Sequence, residues 1–210
     1  MSGTLVKICG ISTPETLAAA IGSGASHVGF VHFAKSPRHL TLAEAAQLRR
    51  QVPAHVKAVL LLVNPLREVL DEAISTIAPD VVQFHGAETP DALARFRAET
   101  GIEAWRALAV KDAAALKDAE QFRGAADRVL LDAPASSLPG GNGTSFDWSL
   151  LAGWQAPLAW GLAGGLTPAN VGEAIRLTRA PLVDTSSGVE SAPGIKDVDR
   201  IAAFCKAARL

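Results

Sequence analysis

Apolar positions along the chain alternate between two patterns. Short aliphatic and β-branched runs fall at residues 5–9, 27–33, 56–63, 81–84, 103–108, 128–132, 158–162 and 182–184, which predicts eight strands. Between them lie stretches of Ala, Leu, Glu, Arg and Gln with helical composition and spacing, such as 42–51, 66–77 and 92–100. Start signals are clear: Thr13-Pro14, Thr89-Pro90 and Thr167-Pro168 each put a capping threonine before a proline at the first helical position. Thr41-Leu42-Ala43-Glu44 has the form of a capping box. Residues 59–63 and 129–131 are apolar on both strand faces, as a parallel sheet covered on both sides requires. Eight strand–helix units predict an α/β protein, a single (β/α)8 TIM barrel spanning 1–210, with an open doubly wound sheet as the competing architecture.

Composition narrows the class of partner. Net charge is −1, from 20 basic and 21 acidic residues, and no block of like charge stands out. That speaks against a nucleic-acid partner or a basic membrane-binding face. No run approaches the ~18 apolar residues of a membrane span, and no signal peptide is expected. Cys9 and Cys205 have no motif spacing, so neither a disulfide framework nor a metal site is expected, and a reducing cytoplasm suits both.

The barrel prediction carries a prediction of place. Active sites of this fold sit where the strands end. Strand one ends in Lys7-Ile8-Cys9-Gly10. Alternation puts Val6 and Ile8 on the helix-covered face and sends Lys7 and Cys9 together to the other. The remaining ends supply Lys35-Ser36-Pro37-Arg38, Asn64, Gln83 with His85, Arg106, Asp132, Gly164-Gly165, and Asp184 with Ser186-Ser187-Gly188. Glycine and serine loops after strands seven and eight suit phosphate capture by backbone N–H groups, although Gly-Gly alone is equally a tight turn. Gly140-Gly141-Asn142-Gly143, in the long polar segment 133–146, is either a plain flexible loop or a lid with further N–H donors.

Cys9 alone would be a structural thiol; Lys7 beside it favours a thiolate that acts as nucleophile or base. A lysine inside a barrel needs a carboxylate, and Asp184 is the candidate. Asp132 is either a strand-end cap or a general acid facing Cys9. Arg38 is a solvated arginine or an anion clamp. Gln83 and His85 shape the rim, and Cys205 belongs to the core, as His27, His39 and His55 belong to surface or packing. An acid and a base on opposite sides of a phosphate-anchored ligand suit proton-transfer chemistry on a sugar phosphate.

Taken in order, several stretches resemble the phosphoribosylanthranilate isomerase family of tryptophan biosynthesis. They are Val6-Lys7-Ile8-Cys9-Gly10-Ile11, Gly29-Phe30-Val31 with Lys35-Ser36-Pro37-Arg38, Val63-Asn64, Val82-Gln83-Phe84-His85-Gly86 and Leu130-Leu131-Asp132. Further on come Gly140-Gly141-Asn142-Gly143 leading into Phe146-Asp147-Trp148, residues 164–171 beginning Gly-Gly-Leu-Thr-Pro, and Val183-Asp184 with Ser186-Ser187-Gly188-Val189-Glu190. The resemblance implies an Amadori rearrangement with Asp132 as general acid and Cys9 as general base. It implies Lys7, Arg38, Gln83, His85 and Asp184 as substrate-binding residues, Arg38 on the anthranilate carboxylate. Gly143, Gly164, Gly165, Ser186, Ser187 and Gly188 would bind phosphate. It implies no cofactor and no metal, a small phosphorylated aminosugar as partner, and a monomer or homodimer. His32-Phe33-Ala34 and Thr185 depart from the family's usual residues beside the site. Two other functions stand against it: a related sugar-phosphate activity such as indole-glycerol-phosphate synthase, and a non-catalytic phosphate-ligand binding barrel. The first would call for more lysine and glutamate at the rim, and the second leaves Cys9 and Asp132 without a purpose.

Overall fold

The computed structural model describes residues 3–134 and 145–209. Among these, eight parallel strands close into a barrel in chain order: β1 (Leu5–Cys9), β2 (His27–Val31), β3 (Lys57–Leu62), β4 (Val81–Phe84), β5 (Glu103–Ala109), β6 (Arg128–Asp132), β7 (Ala159–Leu162) and β8 (Leu182–Thr185). Closure is made by β8 against β1, where Lys7 stands opposite Asp184. Six α-helices wrap the described barrel: α1 (Pro14–Gly22), α2 (Leu42–Arg49), α3 (Arg67–Ile77), α4 (Pro90–Thr100), α5 (Val171–Thr178) and α6 (Val198–Ala207). An antiparallel hairpin of β9 (Glu190–Ala192) and β10 (Ile195–Lys196) follows β8.

Eight strands match the expectation; among the described residues, α-helices follow six of them and 3-10 helices the other two. After β5 the barrel is covered by a 3-10 helix, Ala115–Phe122, and after β6 by a shorter one, Trp148–Leu151. The first has a reason in its sequence. Its buried residues are Leu116, Ala119 and Phe122, three apart, and a three-residue repeat lines one face of a 3-10 helix and drifts around an α-helix.

The cap signals divide the same way. Thr13 and Thr89 accept from the backbone N–H three residues on, and Thr41 and Glu44 form the reciprocal capping box. Thr167-Pro168 does not start α5, which begins at Val171. Asn170 takes over this segment. Its Oδ1 accepts from Thr167 N at 2.7 Å and its Nδ2 donates to Gly165 O at 3.0 Å, so residues 165–170 close into a loop beyond β7.

Strand alternation divides the core in two. Val6 and Ile8 join the large cluster between barrel and helices, while Val59, Val81, Trp105, Leu130 and Leu182 plug the barrel itself. His27 stacks on Trp105 within this plug, and burial pulls its pKa down to about 3, leaving a neutral ring. Cys9, Val31 and Leu61 form the next layer up, toward the rim.

The opposite end is tied by a repeated device. The residue just before β2, β4 and β6 bonds the second residue of the preceding odd strand. Ser26 Oγ accepts from Val6 N, Asp80 Oδ2 from Ala58 N at 2.7 Å, and Asp127 Oδ2 from Ala104 N at 2.8 Å. Arg49 and Arg97 in turn hold the two aspartates. A charge-assisted bond of this kind contributes ~1.5–3 kcal/mol. Asp127→Ala should therefore lower the urea midpoint by an equivalent amount at unchanged m-value, and leave ligand binding at the far end of the barrel intact.

Candidate active site

The carboxyl ends of the strands enclose a pocket. Its polar wall holds Cys9, Arg38, Gln83, His85, Asp132, Asp184, Ser186 and Ser187, with backbone from Gly164, Gly165 and Gly188; Val31, Phe33, Leu61, Val63 and Leu166 supply the apolar wall. Eleven of the thirteen residues expected from sequence therefore meet in one cavity. Gly143 lies outside the described residues. Lys7, expected among the substrate-binding residues, is fully buried off the pocket lining.

Lys7 is committed to another partner. Its Nζ donates to Asp184 Oδ2 at 2.7 Å, across the strand pair that closes the barrel. Burial pulls the lysine pKa down, but Asp184 and Cys9 outweigh it and hold the ammonium above its ordinary range. Asp184 is pushed up by burial against the pull of Lys7, and its Oδ1 has no partner among the described residues. The pull of Lys7 on Cys9, expected from sequence, is present but does not decide the thiol's state. Lys7 and Lys196 do favour its thiolate, yet burial, with Asp184 adding to it, outweighs them and pushes the thiol up. The thiol therefore stays mostly protonated at neutral pH.

Asp132 stands three strands away around the barrel. The strand-end cap expected from sequence is present. Oδ1 caps the strand end by accepting from Ala133 N at 2.8 Å, while Oδ2 lies 3.4 Å from His85 Nε2. His85 Nδ1 is 3.4 Å from Gln83 Nε2, and Gln83 Oε1, buried, has no partner among the described residues.

Arg38 reaches the pocket from the loop after β2, but as part of an ion cluster. Its Nε and Nη2 donate to the two carboxylate oxygens of Glu190 at 2.7 and 2.8 Å. Lys196 Nζ donates to Glu190 Oε1 at 2.5 Å and to Ser186 O at 3.1 Å. Glu190 and Lys196 belong to no site predicted from sequence. The signal available was two charged residues placed where the family-like run after β8 ends, with nothing to show that they fold inward.

Two strand ends miss the pocket. Arg106 points to the outer face of β5, where it binds Glu88 at 3.0 Å and Gly86 O at 2.7 Å. Asn64, at φ 46°, accepts from Ala87 N and shapes the same loop. Even and odd strand positions decide this: Ala107, not Arg106, faces inward.

The loops after β7 and β8 meet as the phosphate reading requires. Thr185 Oγ1 donates to Leu166 O at 2.7 Å, so the residue that departs from the family pattern ties the two loops together. Gly188 is forced by that approach, since any side chain there would run into the Leu166 carbonyl oxygen. No long helix starts at these loops, since α5 begins only at Val171 and Ser187–Val189 is a single 3-10 turn. Among the described residues no cluster of His, Cys, Asp or Glu could hold a metal ion, and no helix is long and apolar enough to cross a membrane.

A thiol, a carboxyl, an arginine and two glycine–serine loops thus meet in one pocket. Known proteins agree. Residues 6–207 match the family model for N-(5′-phosphoribosyl)anthranilate (PRA) isomerase. The chain is 61% identical over 206 residues to the N-(5′-phosphoribosyl)anthranilate isomerase of Erythrobacter litoralis, covering 98% of this chain and 99% of that one. It is 54% identical to that of Paracoccus denitrificans, covering 95% and 94%. The phosphoribosylanthranilate isomerase of Thermotoga maritima superposes with a TM-score of 0.89 at 35% identity, covering 98% of both chains. A phosphoribosylanthranilate isomerase solved with reduced 1-(o-carboxyphenylamino)-1-deoxyribulose 5-phosphate superposes with a TM-score of 0.86 at 35% identity over the same coverage. With its barrel and nearly its whole length matched to these proteins, the chain belongs to the N-(5′-phosphoribosyl)anthranilate isomerase family.

Proposed function

We propose that Cys9 is the general base and Asp132 the general acid of an Amadori rearrangement. The protein is an isomerase of tryptophan biosynthesis, converting N-(5′-phosphoribosyl)anthranilate to 1-(2-carboxyphenylamino)-1-deoxyribulose 5-phosphate. The observation that carries the assignment is the placing of Cys9 and Asp132 on different strands of one pocket, which the glycine–serine loops after β7 and β8 also line.

Four steps follow from the residues. The glycine–serine loops fix the phosphate, and Arg38, oriented by Glu190, takes the anthranilate carboxylate. Asp132 gives its proton to the furanose ring oxygen as the C1′–O bond breaks, leaving the open-chain Schiff base. The Cys9 thiolate then removes the C2′ proton, and the electron pair passes into the imine to give an enolamine. Tautomerisation gives the ketone, and the two protons gained and lost balance. His85, 3.4 Å from Asp132 Oδ2, steadies that carboxyl. No cofactor enters any step. Lys7, from behind the pocket, and Asp184, on its wall, together act on the proton affinity of Cys9. The chain works as one catalytic domain on a small phosphorylated substrate. We place it in the cytoplasm, where its two free cysteines, both buried, would stay reduced.

Cys9→Ala and Asp132→Asn should each lower kcat by about 10²–10⁴-fold. The reduced product analogue should still bind both variants in calorimetry. Near-normal turnover of Cys9→Ala, followed by loss of anthranilate-type fluorescence, would remove the base assignment.

The raised Cys9 pKa makes a second prediction, and its sign is fixed. A base that must lose its proton first gives a kcat/KM that climbs with pH through and beyond neutrality. Lys7 favours the thiolate, so Lys7→Met should move that limb to still higher pH. A limb unmoved or shifted downward would show that Lys7 does not act on Cys9.

A further inference from the structure

Behind Arg38 and the loop after β8 stands a buried lysine that the proposed steps do not use. Lys196 is buried, its side chain without exposed surface, at the end of the β9–β10 hairpin. A register shift in that hairpin pairs it with Glu190, which brings ammonium and carboxylate together. From there it reaches two ways. Through Glu190 Oε1, which it shares with Arg38 Nε, it touches the arginine of the β2 loop. Through Ser186 O at 3.1 Å and Oγ at 3.3 Å it touches the loop after β8, and the same hydroxyl donates to the Cys9 carbonyl at 3.1 Å. The hairpin tip sits against the β2 loop as well: Gly194 N donates to Glu190 Oε2 at 3.2 Å, and any side chain on Gly194 would run into Pro37 O.

We infer that Lys196 is a positioning residue that locks the Arg38 guanidinium and the phosphate loop at a fixed separation, with Glu190 as its bridge. This rests on the assignment of Arg38 to the substrate carboxylate and of residues 186–188 to its phosphate. The substrate is held at two anionic ends, so its reacting carbons meet Cys9 and Asp132 only if the two anion sites keep their spacing. Arg38 alone, on a flexible side chain, could follow a misplaced carboxylate; an arginine gripped at both Nε and Nη2 cannot. Lys196 also preserves the charge of the mouth. Arg38 and Glu190 cancel, and Lys196 restores one positive charge to face a polyanionic ligand.

Positioning and charge make opposite predictions. Lys196→Met removes a positive charge and Glu190→Gln a negative one. If charge alone mattered, KM would rise in the first and fall in the second, and the double variant, with the wild-type net charge, would recover. If the cluster positions, KM rises about ten-fold or more in both, with kcat changed less than about three-fold, and the double variant is no better than the worse single one. Steady-state kinetics on the four proteins, with melting temperatures taken alongside, decides between these. A lowered or unchanged KM in Glu190→Gln, or recovery in the double variant, would overturn the proposal. Glu190→Gln is isosteric, so it settles the question even if Lys196→Met does not fold. Arg38→Met separates the two levels of the argument. A raised KM there with a normal KM in Glu190→Gln sinks the positioning role alone, whereas an unchanged KM in Arg38→Met sinks the carboxylate assignment beneath it.

Discussion

A lysine ammonium and an aspartate carboxylate, 2.7 Å apart in the middle of a barrel, set the terms for everything around them. Such a pair is expensive to bury, and apolar residues of similar volume would serve stability as well or better. Its position explains its presence. Lys7 and Asp184 are opposite neighbours in the one strand pair that closes the barrel, so closure and ion pairing form or fail together. Cys9 stands two residues beyond Lys7 on the same inward face, within the field of both charges. Below the pair, the cation of Lys7 adds to burial in keeping His27 neutral against Trp105. One ion pair thus separates a dry plug from a wet, reactive rim.

At the rim the same economy is repeated with a surplus of positive charge. The chain carries a net charge of −1, yet Arg38, Glu190 and Lys196 leave one positive charge where anionic ends of a ligand would lie. Local arrangement, not overall balance, decides what the pocket attracts. The thiol benefits less than a simple electrostatic argument suggests. Two lysines pull its pKa down, and burial defeats both. The result is a thiol of raised proton affinity, and the base role proposed for it draws on that affinity once it is ionised.

Much of this was legible in the sequence because strand alternation and barrel topology translate directly into place. The period of two sent Lys7 and Cys9 inward, and the rule that strand ends gather at one rim brought Asp132, Asp184, His85 and the glycine–serine loops together. The same period, applied to β5, would have removed Arg106, whose even position faces the helices. Other losses have different causes. The Thr167-Pro168 signal was chemically sound but was overridden by Asn170, whose side chain bonds to Thr167 N and Gly165 O close the loop and delay α5. The 3-10 helix after β5 hid behind α-like composition, although its three-residue apolar spacing was on view. Glu190 and Lys196 were beyond reach, because a hairpin after the last barrel strand is not part of the repeating pattern. Only its folding back over Pro37 turns two ordinary surface residue types into buried ones.

The account's central claim is that burial and the Lys7–Asp184 pair together set the proton affinity of Cys9. It is tested most directly by NMR titration of the free enzyme labelled with ¹³Cβ-cysteine. Cys205, whose thiol is pushed up to about 11 by its place in the core, serves as an internal reference, and Cys9→Ala assigns the two signals. The Cys9 signal should titrate above the ordinary thiol range and in step with the alkaline limb of kcat/KM. A Cys9 already ionised at neutral pH would contradict it.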